Sequence, residues 1–167
     1  MLKTALVALA LLLAISTAAQ NTVLPATFVP NADIQAFIDA LPRDAVSDKP
    51  IRSVDVGGYH VAVYGVFRPK SVRQEANRHD TKVTEIYYIL DGNATLVTGG
   101  ALPEAKQLAP GSTTFQSTRI DGGTARRVSK GDVVVIPGHT PHWFSEQDGD
   151  LRYLIFRPDP ESRIALK

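Results

Sequence analysis

The strongest structural signal in this chain is the stretch Gly131-Asp132-Val133-Val134-Val135-Ile136-Pro137-Gly138-His139-Thr140-Pro141-His142-Trp143-Phe144. A glycine turn leads into a short apolar run, a proline–glycine corner follows, and His142 begins a new apolar run. Short apolar runs bounded by glycine and proline are typical of buried β-strands. The pattern therefore predicts an imidazole at the start of a buried strand, where it can meet a metal ion or a small ligand.

Other strand signals extend outward from this stretch. The run 85–90 is apolar after its first residue, and Asp91-Gly92 predicts a hairpin turn into a second run at 94–98. Further runs lie at 59–67 and 151–156. Several short strands with one helix at the edge predict an all-β barrel or double-sheet sandwich. Residues 101–118 are rich in proline, glycine and small polar residues, and they predict an irregular excursion that is long enough for a lid.

The N-terminus has the pattern of a signal peptide at residues 1–19. Lys3 is followed by an apolar run at 4–15 and then by small residues up to Ala19, after which cleavage is expected. A retained anchor or a buried helix is the alternative, although the run is short for a bilayer span. The prediction is a periplasmic or secreted protein with no membrane attachment after cleavage.

The segment 20–50 is predicted to be an N-terminal leader with a short helix, and 51–160 to be the barrel domain. Asn31 is expected to cap the helix and Pro42 to end it. Between them, Ile34, Phe37 and Ile38 fall on one face, and Leu41 continues that face. We expect this face to dock on the barrel, so its role is packing.

Charge and cysteine content narrow the function classes. The chain has 18 basic and 17 acidic residues, and removal of Lys3 with the signal peptide leaves the two equal. This balance gives no electrostatic reason to expect nucleic acid or an anionic membrane as a partner. The chain has no cysteine, so any metal must be held by nitrogen and oxygen atoms.

A candidate metal set follows from strand alternation. Glu85, Tyr87 and Ile89 share one face of their strand, and His142 begins the buried strand described above. If Glu85 and His142 both face inward, they converge, and His79 supplies a second imidazole. Two histidines and one carboxylate suit Fe(II), Mn(II), Ni(II) or Zn(II) with open coordination positions. Tyr87 is the candidate catalytic residue, as a hydrogen-bond or proton donor, and a barrel-filling aromatic is its alternative role.

Each of these residues also has a purely structural interpretation. His142 can bond to backbone at a strand start, Glu85 can be a solvated charge, and His79 can belong to a charged surface loop. His139 is more typical of a loop cap, and His60 of a strand residue involved in packing.

The spacings resemble the two motifs of the cupin superfamily. Its second motif, G-x5-P-x-G-x2-H-x3-N, matches at Gly131, Pro137 and His142, while His139 and Glu146 replace the inner glycine and the asparagine.

The first cupin motif, G-x5-H-x-H-x3-4-E-x6-G, matches at His79, Glu85 and Gly92. Thr81 stands at its second histidine position and Arg73 at its leading glycine. The resemblance covers roughly residues 55–157, and it is to small single-domain bacterial cupins in particular.

This resemblance implies a jelly-roll barrel and a divalent metal held by three histidines and a glutamate. Carried over, it assigns His79, Glu85 and His142 as ligands, with water, Asp80, His139 or His60 open as the fourth. It also implies a small-molecule ligand and a homodimer.

The resulting hypothesis is an exported metal-binding cupin with a small-molecule site inside the barrel, and dioxygenase, isomerase and lyase chemistry are all open. The alternative is a non-catalytic cupin that binds a sugar or an aromatic acid, with or without metal. A weaker third hypothesis is a structural partner protein that uses the sheet face around Trp143.

Overall fold

The structure is a computed structural model, and it describes residues 23–167. The predicted signal peptide at 1–19 and the first residues of the leader lie outside the described residues. Within 23–167 no helix is long and apolar enough to cross a membrane.

The described chain contains one helix and eleven strands. The helix α1 spans Asn31–Asp39, and the strands are β1 (Ser47–Asp55), β2 (His60–Arg68), β3 (Ala76–His79), β4 (Glu85–Asp91), β5 (Ala94–Thr98), β6 (Lys106–Gln107), β7 (Thr114–Ser117), β8 (Thr124–Val128), β9 (Val133–Ile136), β10 (His142–Gln147) and β11 (Leu151–Asp159). The first strand therefore begins before residue 51.

The strands form two antiparallel sheets. One has the order β1-β2-β11-β4-β9, and the other has the order β6-β7-β3-β10-β5-β8. The chain changes sheet six times, after β2, β3, β4, β8, β9 and β10, so most strands adjacent in sequence lie in opposite sheets. This is the jelly-roll barrel with a short N-terminal helix that the sequence predicts.

The predicted hairpin at Asp91-Gly92 is wrong. Both edges of β4 are already paired, with β11 on one side and β9 on the other, so β5 pairs with β10 and β8 in the opposite sheet. Gly92 makes the change of sheet, with a φ of 90°. A Cβ atom at this position would overlap the carbonyl oxygen of Asp150, so only glycine fits without a shift of the backbone.

The segment 101–118, predicted to be irregular, is partly regular. It contains β6 and β7, and β7 pairs with β3 in the register Asn77↔Gln116. These strands are short and mostly polar, so they lack the apolar run by which a strand is detected in a sequence. Because it pairs with β3, β7 forms part of the barrel wall.

Alternation along the strands builds the interior. Buried side chains of both sheets meet in one cluster, which includes Ile89, Leu96, Ile136, Phe144 and Tyr153. The residues between them face outward, as at Val133 and Val135, which are exposed. The interior is therefore lined by alternate residues of each strand, as the period of two requires.

The helix α1 packs on the outer face of the first sheet. Ile38 is fully buried in a cluster with Leu41, Phe67 and Leu154, which is the docking that the apolar face predicts. Gly65 lies under the helix. A Cβ atom there would approach Ile38 to 3.0 Å, so its absence permits this close contact.

Asn31 is not the cap of this helix. Pro30 occupies that position, without a side-chain hydrogen bond, and Asn31 is the first helical residue. The fixed φ of proline suits the entry into a helix, so the helix begins one residue earlier than a polar cap predicts.

Candidate metal centre

Three strand ends place the predicted metal set at one point of the interior. His79 ends β3, Glu85 begins β4 and His142 begins β10. Each offers one ligand atom, and these atoms lie within 4.8 Å of one another. The structure thus brings together the three side chains that the sequence analysis selected, across 63 residues of chain and from both sheets.

Each imidazole faces a different oxygen of the carboxylate. His142 Nε2 is 3.5 Å from Glu85 Oε2, and His79 Nε2 is 3.8 Å from Glu85 Oε1. The side chains of His142 and Glu85 are 6% and 5% exposed, whereas that of His79 is 31% exposed. One side of the set is therefore enclosed and the other opens toward solvent.

The tautomer of His142 is fixed by the backbone. Its Nδ1 lies 3.0 Å from the carbonyl oxygen of Thr140, which only accepts hydrogen bonds. Nδ1 therefore carries the proton, and the lone pair of Nε2 points toward Glu85. His79 Nδ1 is 2.9 Å from Thr114 Oγ1, so a second hydrogen bond orients that ring. Such outer contacts are typical of histidines that bind metal through Nε2.

The charges at the set are a carboxylate and two neutral rings. Burial lowers the pKa of both His79 and His142, and this effect outweighs the attraction of Glu85. Burial alone would raise the pKa of Glu85, but the Arg157 charge and the two histidines lower it to about 2. Glu85 is therefore ionised at neutral pH, while His79 and His142 are neutral.

Arg157 holds the carboxylate in place. Its Nε donates to Glu85 Oε1 at 2.8 Å, and its Nη2 lies 2.6 Å from the same oxygen and 2.7 Å from Asp48 Oδ2. The guanidinium thus joins two carboxylates inside the barrel. It also lies over the ring of Tyr64, with 4.1 Å from Cζ to the ring centroid.

The sequence analysis missed Arg157 because it ended the last strand at Phe156. β11 continues to Asp159, and Tyr153, Ile155 and Arg157 share its inward face. The signal was present, since extending the alternation by one step places Arg157 inside. Pro158 concealed this signal, because proline is disfavoured within a sheet.

Tyr87 lies directly beside the metal set. Its hydroxyl donates to Glu85 Oε2 at 3.0 Å, and its ring packs 4.8 Å from the ring of Tyr153. Burial raises the pKa of Tyr87 well above its usual value, and Glu85 adds to this effect. The phenol therefore keeps its proton and serves as a donor. It lines the cavity described below, while its ring also fills the barrel.

The donor set fits a divalent cation. The lone pair of His142 Nε2 faces an ionised oxygen, and two electron-rich atoms at this distance repel each other unless a cation lies between them. Two neutral imidazoles and one carboxylate are ligands that Fe(II), Mn(II), Ni(II) and Zn(II) accept. Arg157 and Tyr87 contact the carboxylate from outside and orient it, as second-layer groups do in metal sites.

The side chains considered for a fourth ligand lie elsewhere. Among residues 23–167, the set that includes Glu85 contains only His79 and His142 besides it. His60 Nδ1 bonds to the carbonyl oxygen of Ile164, and the Asp80 carboxylate accepts from Arg78. His139 is exposed and faces Asp80 at 3.8 Å. Of the four alternatives for the fourth ligand, water therefore remains.

His139 explains one departure from the cupin motif. Its φ is 64°, in the left-handed region that favours glycine. The motif has glycine at this position, and here a histidine adopts the same conformation while its ring remains outside the cavity.

A cavity of about 920 Å³ adjoins the set. It is lined by residues of β1, β2, β3, β4, β7, β10 and β11, and its wall includes His79, Glu85, Tyr87 and His142. Thr81, at the position of the second motif histidine, also lines it. Such a volume is within the range of small-molecule sites in proteins.

The structure is similar to solved structures of known proteins. The DMSP lyase DddQ from Ruegeria pomeroyi, a cupin-family structure, has a TM-score of 0.50 over 86% of this chain and 79% of that chain, with 17% sequence identity. The chain has the cupin fold. The predicted superfamily fold is thereby confirmed, and at this identity the similarity is one of fold alone.

Two further cupin-fold structures are similar at lower scores. An RmlC-like cupin from Methanocaldococcus jannaschii has a TM-score of 0.44 and 14% identity, over 72% of this chain and 89% of that chain. An oxalate oxidase in complex with glycolate has a TM-score of 0.49 and 16% identity, over 76% of this chain and 57% of that chain. No family model matches this chain, and no curated protein matches it in sequence.

Proposed function

We propose that this cupin is a metal-dependent enzyme that acts on a small organic molecule in the barrel cavity. One observation carries the proposal: His79, Glu85 and His142 converge within 4.8 Å at the wall of a cavity large enough for such a molecule. A bound divalent ion would polarise an oxygen atom of the substrate, or activate dioxygen if the ion is iron. Oxidoreductase, isomerase and lyase reactions remain the candidate classes.

The side chains around the set have distinct tasks in this proposal. Arg157 and Asp48 hold Glu85 in one orientation, and the carbonyl of Thr140 holds the ring of His142. Tyr87 keeps its proton on the hydroxyl and lines the cavity, so it can donate a hydrogen bond to a substrate oxygen. The apolar cluster beneath Tyr87 excludes water from the buried side of the set.

Metal analysis with matched variants tests this proposal. We expect about one divalent ion per chain in the parent, and loss of that ion in His142→Gln and in Glu85→Gln. His139→Gln is the control, because His139 is an exposed histidine in the same corner. It should keep the metal. The proposal fails if the parent takes up no metal after reconstitution with Fe(II), Mn(II), Ni(II) and Zn(II).

The alternative of a non-catalytic binding module is favoured by the contact between Arg157 and Glu85. The guanidinium already pairs with this carboxylate, so the charge of Glu85 is compensated without a metal. A binding module of this kind would take a sugar or an aromatic acid. Ligand binding that survives chelation, together with the absence of metal, would support this alternative.

The proposal includes export. Residues 1–19 carry a basic start, an apolar run and small residues at the end, which is the pattern of a signal peptide. The mass of the protein recovered from the periplasm or the medium should correspond to a chain that begins at Gln20. A full-length chain in the cytoplasm would contradict it.

A further inference from the structure

Four arginines line the cavity, and one of them differs from the others in its partners. Arg157 pairs with Asp48 and Glu85, Arg73 pairs with Glu75, and Arg163 pairs with Glu161. Arg68 has no carboxylate within 4.0 Å among residues 23–167. It is the cavity's one cation, within the described chain, that lacks an anionic partner.

Arg68 is directed into the barrel by the alternation of β2. Tyr64, Val66 and Arg68 share the inward face, and Arg68 is the last residue of the strand. Its guanidinium carbon lies 5.2 Å from the ring centroid of Phe144 and 5.9 Å from that of Tyr153. The charge is therefore partly buried over an aromatic floor, where water solvates it less than at the surface.

The hydrogen bonds of Arg68 fix the group but do not saturate it. Nε donates to the hydroxyl of Tyr153 and Nη1 donates to Gln74 Oε1, each at 2.8 Å. A guanidinium has five N–H groups. Nη2 has no acceptor among the described residues. The guanidinium is held rigidly while one edge is left to bind something else.

Arg68 and the metal set belong to the same chamber. Both line the cavity, and they are joined by packed rings, since Tyr87 contacts Tyr153, which accepts from Arg68. The positive charge of Arg68 also contributes to the lowered pKa of His79 and of His142. One small molecule in the cavity therefore has access to both groups.

We infer that the ligand of this cavity is a small carboxylate, and that Arg68 binds its carboxylate group. A planar guanidinium with a free edge matches the two oxygens of a carboxylate, and the pairing neutralises the unpartnered charge. The inference deepens the proposed function and rests on it for the second contact, in which another oxygen of the same molecule reaches the metal set. Tyr64 and Leu108 in the cavity wall suit the hydrocarbon part.

The test compares isosteric probes that differ by one charge. Propionate and benzoate are titrated beside propionamide and benzamide, in metal-free protein and in protein loaded with Zn(II), by calorimetry. We expect each carboxylate to bind about ten- to a hundredfold more tightly than its amide in both forms. In Arg68→Gln this preference should disappear, while bound Zn(II) remains.

Two further variants make the result specific. Arg73→Gln removes an equal charge at the mouth of the same cavity, where Arg73 is exposed and paired, and it should keep the preference. Arg68→Lys retains the charge and loses the planar fork, so it should keep only part of the preference. This variant also serves as the test if Arg68→Gln does not fold.

The outcomes separate this inference from the proposed function. If the preference exists only with Zn(II) and survives Arg68→Gln, the carboxylate binds the metal and the inference is overturned. Equal binding of carboxylates and amides overturns it as well. If Zn(II) does not bind and the preference still depends on Arg68, the inference stands while the metal-dependent function fails.

Discussion

The two sides of the barrel interior are built from the same alternating strands but have opposite characters. On the packed side, formed by β4, β5, β8 and β9, the inward residues Ile89, Leu96, Val128 and Ile136 are all buried in one apolar cluster. On the open side, formed by β1, β2, β3 and β7, the inward residues are largely polar and line the cavity. The metal set lies where the two sides meet.

The difference shows how one barrel supports both stability and binding. Apolar side chains close the packed side because contact among them removes apolar surface from water. Polar side chains on the open side face the cavity, where a ligand can supply hydrogen-bond partners. Stability should therefore depend mainly on the packed side, and binding on the open side.

The largest expected effect on stability is that of a substitution on the packed side. Ile89 is fully buried, so Ile89→Ala should lower the free energy of unfolding by about 2–5 kcal/mol, through lost burial and a residual cavity. Gln116→Ala, on the wall of the open side, should lower it by less than about 1 kcal/mol. Urea denaturation of both variants measures the difference. Equal losses would refute the division into two sides.

A smaller effect concerns acid, to which the metal set should respond and the apolar cluster of the packed side should not. The pKa of His142 is lowered from 6.5, so the folded state binds fewer protons than the unfolded state, and stability decreases as the pH falls below about 6.5. Glu85 has a pKa of about 2 in place of 4.5, so its contribution is present above pH 4.5 and is lost as the pH falls toward 2.

The variant Glu85→Gln sharpens this point. It should lower the free energy of unfolding at pH 7 by about 2 kcal/mol and remove the decrease below pH 4.5, because the titrating group is gone. Ile89→Val, the control on the packed side, should lower the whole curve by about 1 kcal/mol without changing its shape. Urea denaturation in the presence of a chelator, from pH 7 to pH 3, compares the two curves.

The smallest expected effect is at the mouth of the cavity. Arg73 and Glu75 form an exposed ion pair at 3.3 Å, and exposed pairs contribute little to stability. Arg73→Gln should change the free energy of unfolding by less than about 0.5 kcal/mol. A larger loss would mean that the mouth is part of the stable core and that the open side extends less far than its lining residues indicate.

Strand alternation was sufficient to select the central part of the site. Glu85 and Tyr87 were placed on one face, and His142 at the start of a buried strand, and the structure has these side chains in contact around one carboxylate. Local sequence carries this information because the side-chain period of a strand is fixed at two. His79 was added as the second imidazole and also matches the first cupin motif, and in the structure it reaches the set.

Long-range pairing was the part that local sequence did not reveal. Asp91-Gly92 has the residues of a hairpin, yet the chain changes sheet there because β9 and β11 occupy both edges of β4. β7 is part of the cavity wall because it pairs with β3, which lies far away along the chain, and local sequence does not reveal such a pairing. Turn residues determine where the chain reverses. The strands that compete for the free edges determine which partner the next strand pairs with.

The sequence by itself determined the fold class, the inward face of the strand that begins at Glu85 and the three side chains of the metal set, because these depend on periodicity and spacing. Only the tertiary structure decided that Arg157 pairs with Glu85 and Asp48 and that Arg68 has no carboxylate within 4.0 Å among residues 23–167. The partners of a charged residue come from strands distant in sequence. Electrostatic interactions of this kind depend on distances in space, and no local pattern of residues records them.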